Sequence, residues 1–228
     1  MSAFFCWSKK CCIVCFACAI GVFCAISFIF ACWFTTMEKI ENTRCFYYVV
    51  ANSPHVQAST YTVELEGGAG YPVENDGTYY AAYAVYFSMD KAKEVALNLK
   101  NMGNAVKIVE SGEQTLYFKS WEEKRAKGKI INALDNLYAC MLRLQGEIER
   151  LERGATQSSS KNKILSIVET MQFLAGANSG IGEYAQTCSV SAERLEGYAR
   201  GVILAKDLRF ELCKWSELYV RTCEIFYL

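Results

Sequence analysis

Residues 78–109 read TYYAAYAVYFSMDKAKEVALNLKNMGNAVKIV and contain three consecutive elements of secondary structure. Thr78–Phe87 is made of aromatic, β-branched and small residues, a composition that predicts a β-strand. Met89–Met102 has apolar side chains three and four residues apart, which predicts an amphipathic helix, and Ser88 is placed to cap its first turn. Ala105–Val109 returns to the composition of a strand.

The same alternation of strand and helix extends towards the N-terminus. Phe46–Ala51 (FYYVVA) predicts a strand. Val56–Glu66 has both helical and alternating apolar spacings, and we interpret it as a helix. Tyr71–Glu74 is a short strand, joined to the next by the turn Asn75–Gly77. The order βαββαβ predicts an α+β fold with a four-stranded antiparallel sheet covered by two helices on one face.

From Trp121 onward the pattern is helical. Apolar residues of the first helix step by four and three, as in the seam of a coiled coil. These seam residues are Ile130, Leu134, Leu137, Met141, Leu144, Ile148 and Leu151. The polar turn Gly154–Ser160 separates this helix from a second, whose apolar face runs over Ile164–Leu174, and a third helix with a bend is predicted from Cys188 to the C-terminus. The simplest arrangement is an antiparallel helical bundle over residues 121–228, and the alternative is a seam shared between two chains.

The N-terminal region carries an uncharged run. Cys11–Phe34 (CCIVCFACAIGVFCAISFIFACWF) is long enough, at about 1.5 Å per residue, to cross a bilayer as a helix. Two lysines directly precede it, so the positive-inside rule predicts that residues 1–10 are cytoplasmic and that the chain after the span is extracytoplasmic. We expect a single-pass transmembrane protein with residues 35–45 as a linker. A cleaved signal peptide, or lipoprotein processing at Cys32, is the alternative and leaves the same residues outside the cytoplasm.

The net charge excludes one class of partner, and the positions of the cysteines indicate how their side chains are used. The formal net charge is zero, with no long basic run, which argues against nucleic acid as a partner. Seven of the twelve cysteines lie in or beside the predicted span. The other five are Cys45, Cys140, Cys188, Cys213 and Cys223. Because an odd number cannot all pair within one chain, we interpret them as small buried side chains, with a disulfide between some of them as the alternative.

No pattern in the sequence indicates a catalytic site, a cofactor or a metal site. His55 is the only histidine, so no Ser-His or Cys-His pair has a second candidate base. The spacing Cys12, Cys15, Cys18 falls at the start of the predicted span, where we interpret it as packing. Clustered glutamates such as Glu147 are expected on solvated helix faces. We therefore expect a binding protein and not an enzyme.

Tyrosines concentrate in the predicted strands. Six are candidate ligand-binding residues: Tyr47, Tyr48, Tyr79, Tyr80, Tyr83 and Tyr86. Alternation along a strand places neighbours on opposite faces, so one set faces the two helices and the other lies on the second sheet face. If open, that face would suit sugar rings or another protein. The alternative is that the helices from Trp121 onward cover it.

The stretch Phe46–Val109 resembles a SPOR domain, the peptidoglycan-binding module of bacterial division and sporulation proteins. The resemblance rests on the strand–helix–strand pattern of residues 77–109 and on GGAGY at Gly67–Tyr71 followed by a DG turn, which is similar to a variant found in clostridia. It implies a ferredoxin-like βαββαβ domain over residues 46–118 whose exposed sheet face binds glycan strands. The family's first strand carries a glutamine followed by a small residue and an aromatic, whereas this chain has Val50–Asn52 there.

These observations lead to two functional hypotheses. The first is a single-pass bacterial cell-membrane protein whose extracytoplasmic part binds peptidoglycan in cell division or sporulation, with its helices available to a protein partner or to self-association. The alternative is a membrane-anchored structural scaffold whose SPOR-like and helical parts bind a protein partner without binding glycan. The missing glutamine of the first strand motivates this alternative.

Overall fold

The computed structural model describes residues 21–27, 38–42, 44–53, 55–118 and 120–225. These residues form two compact units. One contains the described residues up to Lys39 together with Tyr117–Lys127, and the larger contains those of Ile40–Leu116 and Gly128–Leu228. The four-stranded sheet and the candidate site both belong to the larger unit.

Four strands and two helices follow one another in the predicted order: β2 (Tyr47–Ala51), α2 (Val56–Leu65), β3 (Tyr71–Asn75), β4 (Thr78–Tyr86), α3 (Met89–Asn101) and β5 (Val106–Glu110). The strands lie in the order β3-β4-β2-β5, and each neighbouring pair is antiparallel. The two strands that α2 joins are thus separated by β4, and the two that α3 joins are separated by β2, which is a split βαβ arrangement. The predicted α+β class, with an antiparallel sheet carrying two helices on one face, is confirmed.

The core between the sheet and these two helices is made of alanine and valine side chains with one leucine and one tyrosine: Val49, Val63, Ala81, Tyr83, Ala92, Ala96, Leu99 and Val106. Helix α3 begins as predicted, because Ser88 Oγ accepts a hydrogen bond from the Lys91 N–H at 3.2 Å. It is followed by Gly103, whose φ of +94° is a conformation that glycine adopts without strain.

The loop between α2 and β3 lies close against the sheet. The Ala69 N–H donates to the Tyr83 carbonyl at 2.8 Å, so the loop continues the pairing along β4. A Cβ at Gly68 would lie 2.4 Å from Val63 Cγ1. Only glycine allows this approach, which explains part of the GGAG sequence.

A second sheet pairs two strands that the sequence did not predict. β1 (Glu38–Asn42) lies inside the segment predicted as a linker and pairs with β6 (Gln114–Phe118). Both strands are only five residues long and flank predicted elements, so neither had a distinct periodicity.

The described residues cover only part of the predicted membrane span. Residues 21–27 are helical (α1), and the remaining positions of the span, 11–20 and 28–34, lie outside the described residues. Within the described ranges, none of the helices combines the length and the apolar composition that crossing a bilayer requires.

Four long helices follow and pack as a bundle: α4 (Trp121–Glu152), α5 (Gln157–Ala177), α6 (Gly182–Arg200) and α7 (Ala205–Glu224). Six of the seven predicted seam residues, from Ile130 to Ile148, are at most 5 % exposed. The apolar face predicted for α5 is buried as well. The seam residues of α4 are therefore buried by other side chains of the same chain.

The prediction of one bent helix from Cys188 to the C-terminus is wrong, since α6 ends at Arg200 and α7 begins at Ala205. The side chain of Gln157, at the start of α5, hydrogen-bonds to the backbone of the segment that connects α6 to α7. Its side-chain amide donates to the Ile203 carbonyl at 2.9 Å, and its Oε1 accepts from the Ile203 N–H at 2.9 Å. A side chain distant in sequence thus supplies hydrogen-bond partners for the backbone N–H and C=O of Ile203, which lie between the two helices.

Glu147 is buried in the structure, although the sequence predicted a solvated position. Its carboxylate accepts from Arg150 at 2.8 Å and pairs with Lys163 Nζ at 3.1 Å. Two cations offset the cost of removing this charge from water.

Candidate functional site

Helix α7 covers much of the sheet face opposite α2 and α3. Tyr48 is 4 % exposed, and its hydroxyl donates to Ser216 Oγ at 2.9 Å. Ser216 Oγ donates in turn to the Cys213 carbonyl at 2.7 Å. Val50 and Val85 share this sheet face with Tyr48, by alternation and by register, and are also buried. The chain's own helix therefore occupies much of this face.

An aromatic cluster closes one end of the contact between the sheet and the helices. Its members are Phe46, Phe87, Tyr138 and Tyr219, with ring centroids 5.3 Å apart for Phe46–Tyr219 and 5.4 Å apart for Phe87–Tyr138. The Arg44 guanidinium lies 4.3 Å from the centroid of the Tyr138 ring and donates to Asp135 at 2.7 Å. The cluster thus ties the start of β2 to α4 and α7.

Of the six predicted tyrosines, five are buried or half-buried, and four of these pack against the protein's own side chains. Tyr48 lies under α7, and Tyr83 lies on the other face, where its hydroxyl donates to the Glu66 carboxylate at 2.6 Å. Tyr47 and Tyr86 pack half-buried against the α2/α3 core, and burial raises the pKa of Tyr86 to about 12. These side chains are used mainly in packing.

The remaining two tyrosines retain more contact with solvent. Tyr79 is 50 % exposed, and its hydroxyl donates to Glu74 at 3.0 Å. Tyr80 is half-buried, with the Lys107 ammonium 3.5 Å from its ring centroid. The structure therefore does not bring the six tyrosines together on one open surface.

A cleft of about 560 Å³ opens where α7 meets the edges of the sheet. Three strands contribute Tyr48, Tyr71, Val73 and Val109, and α7 contributes Glu217, Val220, Arg221 and Glu224. The volume lies in the range of about 300–1,000 Å³ that is typical of ligand pockets. We define this concavity as the α7 cleft and treat it as the candidate site.

Tyr71 and Glu217 join β3 to α7 within the α7 cleft. The Tyr71 ring packs edge-on against Phe210, with centroids 5.1 Å apart, and its hydroxyl donates to the Glu217 carboxylate. Arg221 donates to the other oxygen of Glu217 and pairs with Glu183 at 3.3 Å. Burial, together with the hydrogen bond to Glu217, raises the pKa of Tyr71, so its hydroxyl stays a donor at neutral pH.

The rim of the α7 cleft is acidic. Five carboxylates line it, against the single cation Arg221: Glu74, Asp76, Glu110, Glu217 and Glu224. Among the side chains that the structure describes, only Glu217 of these five forms an ion pair. The cleft therefore carries uncompensated negative charge around its edge, while its sheet residues Tyr48, Val73 and Val109 are at most 8 % exposed.

The buried thiols are not poised for chemistry. Burial raises the pKa of Cys140 to about 11 and that of Cys188 to about 12, so both are protonated and unreactive at neutral pH. The prediction that cysteines serve as small buried side chains is confirmed for these two and for Cys213 and Cys223, while Cys45 is half-buried. In the described ranges, no three His, Cys, Asp or Glu side chains are placed to hold a metal ion together.

No protein-family model, no curated protein and no solved structure matches this chain. Among the residues that line the α7 cleft, sequence reasoning missed Tyr71, Glu217 and Arg221. Tyr71 lies in a correctly predicted strand, but it was not grouped with the other tyrosines. The α7 residues lie outside the heptad seam, and no local signal shows that they face a sheet.

Proposed function

We propose that this chain is a single-pass bacterial membrane protein whose extracytoplasmic part is a structural scaffold that binds a protein partner and performs no catalysis. In this proposal a SPOR-like, ferredoxin-like βαββαβ unit packs its sheet against the chain's own helices. The observation that carries the proposal is the burial of Tyr48 beneath α7, with its hydroxyl bonded to Ser216. A flat glycan-binding platform needs an accessible sheet face.

The free-energy cost of exposing the buried side chains of α7 supports the view that this helix covers the sheet permanently. Four large side chains of this helix are at most 2 % exposed: Leu208, Leu212, Trp215 and Tyr219. Exposing four such side chains costs about 6–12 kcal/mol, at about 1.5–3 kcal/mol each. This approaches the whole free energy of unfolding of an ordinary domain, about 5–15 kcal/mol, so lifting α7 to free the sheet is disfavoured.

The uncharged run Cys11–Phe34, preceded by two lysines, supports the membrane anchor. Within it, residues 21–27 are helical, and Val22 and Phe23 are largely exposed. Apolar side chains on the outside of a helix are what contact with lipid requires.

Tyrosine nitration of the full chain in neutral detergent tests the scaffold proposal. Mass spectrometry of the peptides should find Tyr79 and Tyr61 modified, because both are exposed, and Tyr48 and Tyr83 protected. Modification of Tyr48 as fast as that of Tyr79 under native conditions would show an accessible sheet face and would reject the proposal.

Peptidoglycan recognition in cell division or sporulation is the second candidate function. It is supported by the exposure of Tyr79 and by its hydrogen bond to Glu74 at the rim of the α7 cleft. A pull-down of the full chain with purified sacculi separates the two functions. The scaffold predicts no retention, whereas glycan recognition predicts retention that Tyr79→Ala abolishes and that Tyr61→Ala, a matched exposed tyrosine on α2, leaves intact.

A further inference from the structure

We infer that α6 and α7 enclose a binding site for one internal water molecule, formed by Ser191 Oγ, Glu211 Oε2 and Trp215 Nε1. The site goes beyond the function proposed above and does not depend on it. The bound water joins α6 to the helix that covers the sheet. Two independent observations carry the inference: the three atoms are buried polar groups without a protein partner, and the pairing of the two helices brings them to one place.

The three side chains are fully buried, and each has an incompletely bonded polar atom. Ser191, Glu211 and Trp215 are all 0 % exposed. No described residue supplies a hydrogen-bond partner to the serine hydroxyl, to Oε2 of the glutamate or to the indole N–H. Buried polar atoms in native proteins are bonded either to protein groups or to ordered internal water. The three atoms therefore point to a ligand held between the helices.

Two ion pairs fix how α6 and α7 lie against each other. Arg194 of α6 pairs with Glu211 of α7 at 3.3 Å, and Glu183 of α6 pairs with Arg221 of α7, also at 3.3 Å. The later residue of α6 thus meets the earlier residue of α7. The two helices run antiparallel, and every residue between the two pairs has a defined level along the contact.

This register places the three polar side chains together. Ser191 lies three residues from Arg194 towards the second ion pair, and Trp215 lies four residues from Glu211 in the same direction. At about 1.5 Å per residue these offsets are about 4.5 Å and about 6 Å, so the serine and the tryptophan lie at nearly the same level. Residues three or four apart also share one face of a helix, so each lies on the face that forms the ion pair.

The hydrogen-bonding capacity of the three atoms matches water. An indole N–H only donates, a carboxylate oxygen only accepts, and a serine hydroxyl does either. A water molecule can accept from Trp215, donate to Glu211 and form a third bond with Ser191, and internal waters typically form about three such bonds. A cation cannot accept from the indole, and an anion would be repelled by the carboxylate. A neutral ligand that both donates and accepts is required.

The other buried glutamate of the bundle shows what Glu211 lacks. The carboxylate of Glu147 pairs with Arg150 at 2.8 Å and with Lys163 at 3.1 Å. Among the described residues, Glu211 has one ion pair, which Arg194 makes to Oε1. Burial of a carboxylate requires that its remaining lone pairs also be bonded. A water on Oε2 supplies that bond without adding a charge.

The experiment records cross-relaxation between water and indole protons by NMR, in the full chain labelled with ¹⁵N at its tryptophan indoles, in neutral detergent. The Trp215 resonance is assigned by its loss in Trp215→Phe. We expect its N–H to show NOE and ROE peaks to water of opposite sign, the signature of a water that tumbles with the protein. Ser191→Val replaces the hydroxyl with methyl groups and should abolish these peaks, while thermal unfolding shows that the variant is folded.

The matched control is Ser160→Val. Ser160 is also a fully buried serine whose hydroxyl has no partner among the described residues, but it lies near the start of α5. This variant should leave the water peaks of Trp215 unchanged. Any of three results would overturn the inference: no cross-relaxation with water in the unsubstituted chain, persistence of the peaks in folded Ser191→Val, or their equal loss in Ser160→Val. If Ser191→Val does not fold, the unsubstituted chain decides by itself.

Discussion

The hydrogen bond between Tyr48 and Ser216 joins the sheet to α7, and a double-mutant cycle on this pair tests the central packing of the protein. Tyr48→Phe keeps the ring and removes only the hydroxyl, while Ser216 Oγ still donates to the Cys213 carbonyl. The expected cost is about 0.5–1.5 kcal/mol, the net value of one hydrogen bond.

Ser216→Ala should cost more, although it also removes only one hydroxyl oxygen. The hydroxyl of Tyr48 stays buried without an acceptor, and an unsatisfied buried polar group costs about 1–3 kcal/mol. The double variant removes both hydroxyls and leaves no unpaired group on Tyr48, so it should be more stable than Ser216→Ala alone. We expect a coupling energy of about 1–2 kcal/mol between the two positions.

Urea unfolding of the full chain in neutral detergent measures these free energies. Tryptophan fluorescence, to which the fully buried Trp215 of α7 contributes, reports the transition. The midpoint should shift without a change in slope, since the surface exposed on unfolding is nearly the same. Tyr61→Phe on α2 is the control and should change stability by less than about 0.5 kcal/mol. Strictly additive effects of Tyr48→Phe and Ser216→Ala would show that the two side chains do not interact, and the packing of α7 on the sheet would be refuted.

Three further predictions concern stability. The free energy of unfolding should fall from about pH 9 to pH 11, because unfolded thiols ionise near 9 whereas Cys140 keeps its proton to about 11, and a pH titration of Cys140→Ala should show a smaller fall. Arg209→Lys should cost about 1 kcal/mol in urea unfolding, since lysine cannot reproduce the fork that donates to the Gly67 carbonyl and to Glu152, and an unchanged midpoint would contradict this. Met141→Ala should cost about 2–5 kcal/mol in the buried seam, and Phe173→Ala, on the exposed face of α5, less than about 0.5 kcal/mol; equal effects would show that the seam is not buried.

The sequence by itself determined most of the secondary structure and its order. Local signals acted at short range: Ser88 caps α3, Gly68 allows the close approach of a loop to the sheet, and the four-three spacing of α4 marks its buried seam. Each of these depends on residues within one or two turns. Such patterns show which side chains are buried on folding, but they do not show which element packs against those side chains.

Only the tertiary structure decided that the second sheet face is closed. The residues of α7 that meet the sheet include Ser216 and Glu217, which a helical pattern assigns to the solvated side. They are tolerated there because Tyr48 and Tyr71, 168 and 146 residues away in sequence, supply hydrogen bonds to them. The same holds for the break between α6 and α7, where Gln157 satisfies the backbone of the connection. Burial of a polar group depends on a partner brought close by folding, and no local spacing contains that information.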